Sequence, residues 1–282
     1  MRQPARPTVG PTWKAWSAMV VAAVVVAVGI LVGLSLGTGA QSTSVPLGGP
    51  AARTTAGGTG AAPLPGAVLR AVTTVPGSAL AAVGVPSGVQ GLTPVRGGHA
   101  ALTGPGGEPE LLYVGAEYCP YCAAERWAVV VALSHFGAFT GLRATHSSSV
   151  DVYPDTRTFS FYGSSYSSPF LDFMPVELET NQVVGGRYET LQRLTGAEQS
   201  VLDRLDTEPY TSEAGAIPFL DLGGRFVMVG SQYDPSVLRG LSLGRISAAL
   251  SHPQSTVARA IDGAANTLIS AISKVTGARP TG

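Results

Sequence analysis

The two cysteines of this 282-residue chain stand three positions apart, as Cys119 and Cys122 in the tetrapeptide CPYC. A pair at this spacing can cycle between dithiol and disulfide, bind a metal, or form a structural cross-link. Structural zinc needs four Cys or His ligands, and the four histidines lie far apart in the sequence. A disulfide that closes so short a loop constrains the unfolded chain little. The sequence therefore favours a redox pair over a structural disulfide, and it predicts no metal and no other cofactor.

The residues around the cysteines predict a strand that leads directly into a helix. The run ELLYVGAEY before Cys119 is short, apolar and rich in residues that favour strands. The run PYCAAERWAVVVALSHFGAF after it lacks glycine almost to its end and is apolar on all sides, which predicts a largely buried helix. Pro120 suits the first turn of a helix, where its missing N–H is not needed. We therefore expect Cys119 at the start of the helix and Cys122 one turn inside it.

This placement predicts different roles for the two thiols. Unpaired backbone N–H groups at the helix start, together with the helix dipole, should stabilise the thiolate of Cys119 and lower its pKa. Cys119 is therefore the expected nucleophile. Cys122 should be more buried and less acidic, and we expect it to attack the mixed disulfide that Cys119 forms and to release the reduced partner.

Other residues near the cysteines allow two interpretations each. Glu117 either relays the proton of Cys122 or is a solvated surface charge. Tyr121 suits a half-exposed contact with a substrate. Glu125 and Arg126 are predicted to be solvated surface charges, whereas Trp127, on an apolar helix, is predicted to lie in the core.

Ile217-Pro218 lies well downstream of the cysteines, just before a predicted hairpin. In thioredoxin-like folds a cis-proline faces the CxxC pair, and the residue before it pairs its backbone with the substrate. X–Pro bonds are the usual place for cis geometry, although an ordinary trans-proline can also open a strand. Given the CxxC pair, we predict the cis form, with Ile217, Pro218, Pro120 and Tyr121 lining the substrate site.

The remaining patterns predict strands and helices in alternation. Two short helices should flank Pro76-Gly77, strands should run near 158–161 and 176–179, and a hairpin should turn at Gly223-Gly224. Helical spacing occurs in three later runs: YETLQRLTGAEQSVLDRLD, PSVLRGLSLGRISAAL and TVARAIDGAANTLISAISKV. This order predicts an α/β thioredoxin-like fold, with a central mixed sheet flanked by helices and extra helices at both ends.

The N-terminal segment predicts export. Residues 16–36 carry no charge, and this uncharged run is long enough for a transmembrane helix. Arg2, Arg6 and Lys14 precede this run, so residues 1–15 should remain cytoplasmic and the rest of the chain should cross the membrane. The alternative is a cleaved signal peptide, since Thr38-Gly39-Ala40 is an acceptable cleavage site. We favour a single-pass anchor in the cell membrane, because the run is longer than the usual core of a signal peptide.

Composition divides the rest of the chain. Residues 37–66 are rich in Gly, Ala, Thr, Ser and Pro and predict a flexible linker. An extracytoplasmic domain at 67–277 and a tail at 278–282 follow. Eighteen basic and eighteen acidic residues balance, which gives no reason to expect a nucleic-acid partner. The expected partners are exported proteins or a membrane redox protein, each engaged through a mixed disulfide.

Longer stretches resemble a known family. YVGAEYCPYCAAERWAVVVALSHFG, SSPFLDFMPVELETN, AIPFLDLGGRFVMVG and AIDGAANTLISAI are similar to domain-of-unknown-function family 929, a family of thioredoxin-like proteins from actinobacteria and archaea, often behind an N-terminal membrane segment. The resemblance covers roughly residues 67–277 and implies a thioredoxin-like fold. It implies no particular substrate. The CPYC tetrapeptide is also typical of glutaredoxins, which the rest of the chain does not resemble.

The membrane anchor can be tested by cell fractionation. The full-length protein should sediment with membranes, because residues 16–36 can span a bilayer and the run is longer than the usual core of a cleaved signal peptide. Full-length protein recovered in the soluble fraction would contradict the anchor.

Overall fold

The computed structural model describes residues 60–97 and 100–281. The predicted cytoplasmic segment 1–15, the predicted membrane helix 16–36 and nearly all of the predicted linker lie outside these residues. Within them the chain is a mixed α/β protein with several sheets and six α-helices. No single helix of this part of the chain is long and apolar enough to cross a membrane.

Short strands and helices alternate along the described residues. In chain order the elements are β1 (Ala62–Pro63), α1 (Gly66–Thr73), α2 (Gly77–Val83), β2 (Thr93–Pro94), β3 (Glu110–Gly115), α3 (Pro120–Ser134), β4 (Ala138–Thr140), β5 (Arg143–His146), β6 (Arg157–Ser160), β7 (Ser165–Ser167), β8 (Asp172–Glu177), β9 (Glu179–Val184), β10 (Arg187–Thr190), α4 (Gly196–Leu205), β11 (Phe219–Leu222), β12 (Phe226–Val229), α5 (Leu243–Ala249) and α6 (Thr256–Thr276). A 3₁₀ turn at Pro235–Leu238 lies between β12 and α5.

A five-stranded sheet organises these elements, with the strand order β2-β12-β11-β3-β8. β3 and β8 are parallel, so the chain crosses over between them, and α3 is part of that crossover. The other neighbours in the sheet, β3 with β11, β11 with β12 and β12 with β2, are antiparallel. Three smaller sheets have the orders β1-β5-β6, β4-β7 and β9-β10.

The interior strand β3 is buried along its whole length, because both faces of the sheet are covered. Leu111 and Tyr113 belong to one apolar core, which also contains residues of α1, α2, α3, α5 and α6. Leu112 and Val114 alternate with them and belong to a second core, which includes residues of α4. β3 thus ends between two packed layers, and the cysteines follow directly after it.

The helix α3 begins where the sequence predicts, at Pro120, directly after Cys119. It packs against α1, α6 and β6, so almost none of its surface reaches water. Trp127 is fully buried, which confirms its predicted place in the core. The prediction that Glu125 and Arg126 are surface charges is wrong: both side chains are 0% exposed, because this helix has no solvent face at their positions.

Most of the other predicted elements are confirmed. α1 and α2 flank the Pro76-Gly77 break, β6 and β8 lie close to the predicted strands, and β11 and β12 form the predicted hairpin. In the last helix, α6, the apolar residues at helical spacing form a stripe that is buried throughout. Its residues are Val257, Ile261, Ala265, Leu268 and Ile272.

One helix prediction is wrong at its N-terminal end. The pattern over 188–206 predicts a helix that includes Leu191 and Leu194, but this stretch holds strand β10 and then α4. Thr195 caps α4: its hydroxyl accepts from the Glu198 N–H, and the Glu198 carboxylate accepts from the Thr195 N–H. This capping box begins the helix after both leucines, while β10 pairs with β9.

α6 carries a buried acid on the side that faces the first core. Asp262 is 0% exposed, and neither carboxylate oxygen has a hydrogen bond within the described residues. Burial raises the pKa of Asp262 to about 8. Burial also raises the pKa of Glu125 to about 8, and both carboxylates act electrostatically on the buried Tyr233. In the folded protein, Asp262 and Glu125 therefore keep their protons at pH values at which the same side chains of the unfolded chain have lost theirs.

The Asp262→Asn variant should be more stable than the wild type at alkaline pH and nearly equal to it near pH 4. The folded protein holds the Asp262 proton up to about pH 8, whereas the unfolded chain loses it from about pH 4 upwards, so rising pH favours unfolding across this window. Denaturant unfolding of the purified full-length protein should give a difference that grows to roughly 2 kcal/mol.

The exposed Asp203 of α4 provides the matched control, because Asp203→Asn should show no such pH-dependent difference. A difference between Asp262→Asn and wild type that is the same at both ends of the pH window would contradict the assignment of Asp262 as a buried neutral acid.

Candidate functional site

Cys119 occupies the N-cap of α3. Its φ of −74° and ψ of 122° are extended, and its sulfur accepts the backbone N–H of Cys122 at 3.2 Å. A side-chain acceptor at this position satisfies one of the unpaired N–H groups of the first turn. The same interaction that begins the helix therefore places a sulfur where negative charge is stabilised.

The second thiol lies directly beside the first. Cys119 and Cys122 approach to 2.9 Å, longer than the S–S bond of about 2.05 Å. Both are free cysteines. Cys122 is 0% exposed and Cys119 is 5% exposed, so the pair has the difference in burial that the sequence predicts.

The surroundings of the two sulfurs separate their acidities. The pKa of Cys119 is lowered from its ordinary value, chiefly by the hydrogen bond with the Cys122 thiol and then by backbone N–H groups and Arg126, whereas burial opposes this. The pKa of Cys122 is raised well above its ordinary value, mainly by burial and by its hydrogen bond with Cys119. Cys119 therefore becomes the thiolate first.

Ile217-Pro218 lies directly before β11 and borders the site. The bond between them is cis, which confirms the sequence prediction. The Cys119 sulfur lies 3.8 Å from the Ile217 carbonyl oxygen. The Ile217 side chain packs against the small cluster of Ala116, Cys119 and Cys122, together with Tyr118 and Leu178.

A buried ion pair lies behind the cysteines. Arg126 donates from Nε to Oε1 of Glu177 at 2.8 Å and from Nη2 to Oε2 at 2.6 Å. Both side chains are 0% exposed. Nη2 also donates to the Ala116 carbonyl at 2.7 Å, which links the guanidinium to the residues around the thiols. This bidentate geometry holds a full positive charge inside the protein next to the site.

Glu117 is buried, so the proton-relay interpretation keeps its physical basis and the surface-charge alternative is wrong. Its side chain is 0% exposed, and neither oxygen makes a hydrogen bond of good geometry to another described residue. The pKa of Glu117 is raised, chiefly by burial, while a looser contact with Ser160 and the charges of Arg126 and His146 oppose the rise. Burial thus favours the protonated form of Glu117 more than water would.

A hairpin and a loop cover the pair. Tyr118 stacks on Tyr188 of β10, with ring centroids 4.1 Å apart and an interplanar angle of 1°. The Tyr188 hydroxyl donates to the Ser148 hydroxyl at 2.7 Å, and the Ser148 N–H donates to the Tyr118 carbonyl at 2.7 Å. Together they restrict the access of solvent to Cys119.

Tyr121 lies on the open side of the site and is 40% exposed. Its ring meets the edge of Tyr153 at 5.9 Å, and the Arg239 guanidinium lies 5.4 Å from the Tyr153 ring centroid. Pro120, in contrast, is buried in the first turn of α3. An exposed aromatic surface therefore borders Cys119, as the substrate-contact prediction for Tyr121 requires, whereas Pro120 has little exposed surface.

The structure brings most of the predicted site residues together. Cys119, Cys122 and Ile217 share one small cluster, while Glu117 makes no hydrogen bond to either cysteine. Sequence reasoning missed the role of Arg126, although the spacing of 119, 122 and 126 places these residues on one face of a helix. It also missed Tyr188, since no pattern links that residue to Tyr118.

Within the described residues, no three His, Cys, Asp or Glu side chains are grouped in a way that could hold a metal ion. The arrangement at Cys119 and Cys122 has the components of a dithiol pair: a more acidic sulfur that is 5% exposed, a fully buried sulfur in contact with it, and a helix N-terminus.

This protein is a mixed α/β protein with a CxxC pair at the start of a buried helix. The family model for a domain of unknown function, DUF929, matches residues 100–274, which is more than half of the chain. The chain belongs to this family. No curated protein and no solved structure matches it.

In the reduced native protein, Cys119 should react with iodoacetamide about tenfold or more faster than Cys122, because it is the more acidic and the less buried thiol. Peptide mapping by mass spectrometry after brief labelling measures the two rates separately. In the denatured chain the rates should converge, which serves as the control. Equal rates in the native protein would contradict the assignment of roles.

Proposed function

We propose that this protein is a membrane-tethered, extracytoplasmic thiol–disulfide oxidoreductase with a thioredoxin-like fold. The single observation that carries the proposal is the Cys119 sulfur at the N-cap of α3, which accepts the Cys122 N–H with a second free thiol 2.9 Å away. A sulfur in this setting is a stabilised thiolate with a resolving thiol beside it.

The topology supports the thioredoxin-like part of the proposal. β3, α3 and the parallel strand β8 form a βαβ unit whose helix begins with the CxxC pair. α4 then leads to the antiparallel hairpin of β11 and β12, and Ile217-Pro218 opens β11 beside Cys119. This order of elements supports the proposal of a thioredoxin-like fold.

The proposed reaction is two successive exchanges. The Cys119 thiolate attacks a partner disulfide, so an S–S bond forms between Cys119 and one partner sulfur while the other partner sulfur leaves as a thiolate. The Cys122 thiol then loses its proton and attacks the Cys119 sulfur, which releases the second partner thiol. Two electrons pass to the partner, and the protein holds the disulfide. Each step is reversible, so the redox poise of the compartment sets the net direction.

Glu117 is the proposed acceptor of the Cys122 proton, through an intervening group, because no direct hydrogen bond joins them. Its buried carboxyl, with a raised pKa, is suited to hold a proton between two exchange steps. Ile217, Pro218 and Tyr121 are the proposed contacts for the partner chain.

Location follows from the sequence prediction of an N-terminal anchor. An anchor at 16–36 and a linker at 37–66 would hold the domain near the outer face of the cell membrane. Disulfides persist in such compartments, so exported proteins or a membrane redox protein are the proposed partners.

One observation favours a second candidate, a non-catalytic binding module with a structural disulfide. Cys119 is only 5% exposed, and the Tyr118–Tyr188 stack restricts access to it. A structural disulfide that never undergoes exchange would tolerate being covered by this stack. A redox-active pair, in contrast, needs a partner chain to enter beside Tyr121 or to displace the β9–β10 hairpin.

Removal of the resolving thiol distinguishes the two candidates. In cells, Cys122→Ser should accumulate adducts with partner proteins that disappear on reduction, because the mixed disulfide at Cys119 can no longer be resolved. Cys119→Ser is the matched control and should accumulate none. The purified wild type should also exchange with glutathione disulfide.

Adducts with Cys119→Ser but not with Cys122→Ser would reverse the assigned roles. If neither variant forms adducts and the wild type does not exchange with glutathione disulfide, the binding module is the correct interpretation.

A further inference from the structure

The buried guanidinium of Arg126 lies on the same face of α3 as both thiols. Residues 119, 122 and 126 are separated by three and four positions, which places them one above another along a helix. Arg126 is therefore one turn beyond Cys122, on the side of α3 that faces the end of β3.

A single carbonyl connects the guanidinium to the nucleophile. The Ala116 oxygen accepts the backbone N–H of Cys119 at 3.3 Å and Nη2 of Arg126 at 2.7 Å. Ala116 also packs against both cysteines. The charged group is thus part of the immediate surroundings of the sulfurs rather than a remote element of the core.

Glu177 binds the Arg126 guanidinium on only one of its edges. Its two oxygens bind Nε and Nη2, while Nη1 has no hydrogen-bond partner within the described residues. The ring of Tyr113 lies under the guanidinium, with 6.0 Å from Cζ to the ring centroid. In a fully buried site of low polarizability, an arginine that is not fully satisfied remains a strong source of positive potential.

We propose that Arg126 is a positioning residue for the dithiol, one that stabilises negative charge on the sulfurs of Cys119 and Cys122 during exchange, with Glu177 holding it in place. The inference rests on the thiol–disulfide exchange proposed above. In that exchange a thiolate is present on Cys119 before the attack on a partner disulfide and on Cys122 during resolution, and Arg126 faces both.

The electrostatics of the cluster agree with this geometry. Arg126 lowers the pKa of Cys119, after the larger effects of the Cys122 hydrogen bond and the helix N–H groups, and it opposes the burial that raises the pKa of Cys122. The other ionisable groups that act within this cluster include Tyr113, Glu117, Tyr118 and Glu177, with His146 acting on Glu117. Arg126 is the positive charge that acts on both sulfurs.

Two kinds of variant should move the thiolate fraction of Cys119 in opposite directions. Arg126→Met together with Glu177→Met replaces the pair by apolar side chains without leaving an unpaired buried charge. It should lower the thiolate fraction near neutral pH about fivefold to tenfold. Glu177→Gln keeps the guanidinium but removes the opposing carboxylate, so it should raise the thiolate fraction.

Ultraviolet absorbance of the thiolate, followed against pH in the purified full-length protein, gives this fraction without any partner. Equilibration with glutathione gives the second readout: the double variant should become more reducing and Glu177→Gln more oxidising, because thiolate stabilisation favours the dithiol state.

Arg126→Lys keeps the charge and should fall between wild type and the double variant. Arg204→Met, on the exposed surface of α4, is the matched control and should match wild type.

Opposite shifts in the two variants support the inference, since general damage to the fold would move both in one direction. Equal or same-direction shifts overturn it, and Glu177→Gln alone decides the question if the double variant does not fold. A wild type that fails to exchange with glutathione disulfide would refute the proposed function, while the thiolate titration would still decide whether Arg126 controls the sulfurs.

Discussion

The hydrogen bond from the Cys122 N–H to the Cys119 sulfur is the interaction on which the site depends. It ends the extended segment after β3, begins α3 and satisfies one backbone donor that would otherwise be buried without a partner. The same cap brings the two thiols together, and the hydrogen bond between them is the main cause of the lowered pKa of Cys119. The start of the helix and the proposed redox chemistry therefore depend on the same cap.

The remainder of the fold excludes water from this cap and fixes its orientation. β3 positions the residues before Cys119 between two apolar cores, and α3 is enclosed by α1, α6 and β6. Because α3 has no solvent face, its charged residues need internal partners, and Arg126 finds Glu177 at the end of β8. The parallel pairing of β3 with β8 thus places a carboxylate behind the thiols as well as closing the sheet.

Local patterns predict much of this architecture. The strand before the cysteines, the helix after them and the β11–β12 hairpin follow from residues near each of those elements. The cis-proline follows from Ile217-Pro218 taken together with the distant CxxC pair. The Arg126–Glu177 pair does not, because its members are 51 residues apart and meet only through the sheet. A charged residue on a helix is usually solvated, and that expectation fails where tertiary packing leaves no exposed face. The stack of Tyr118 on Tyr188 depends in the same way on the position of the β9–β10 hairpin.

The reduction potential of the Cys119–Cys122 pair tests the central claim most directly. The purified native protein would be equilibrated with buffers of defined glutathione ratio, and the fraction of free thiol would be measured after acid quenching and labelling. An active pair should interconvert reversibly, with a midpoint above about −300 mV, in the range of catalytic dithiols. A pair that stays oxidised at every ratio and becomes reducible only after denaturation would contradict the claim and identify a structural disulfide.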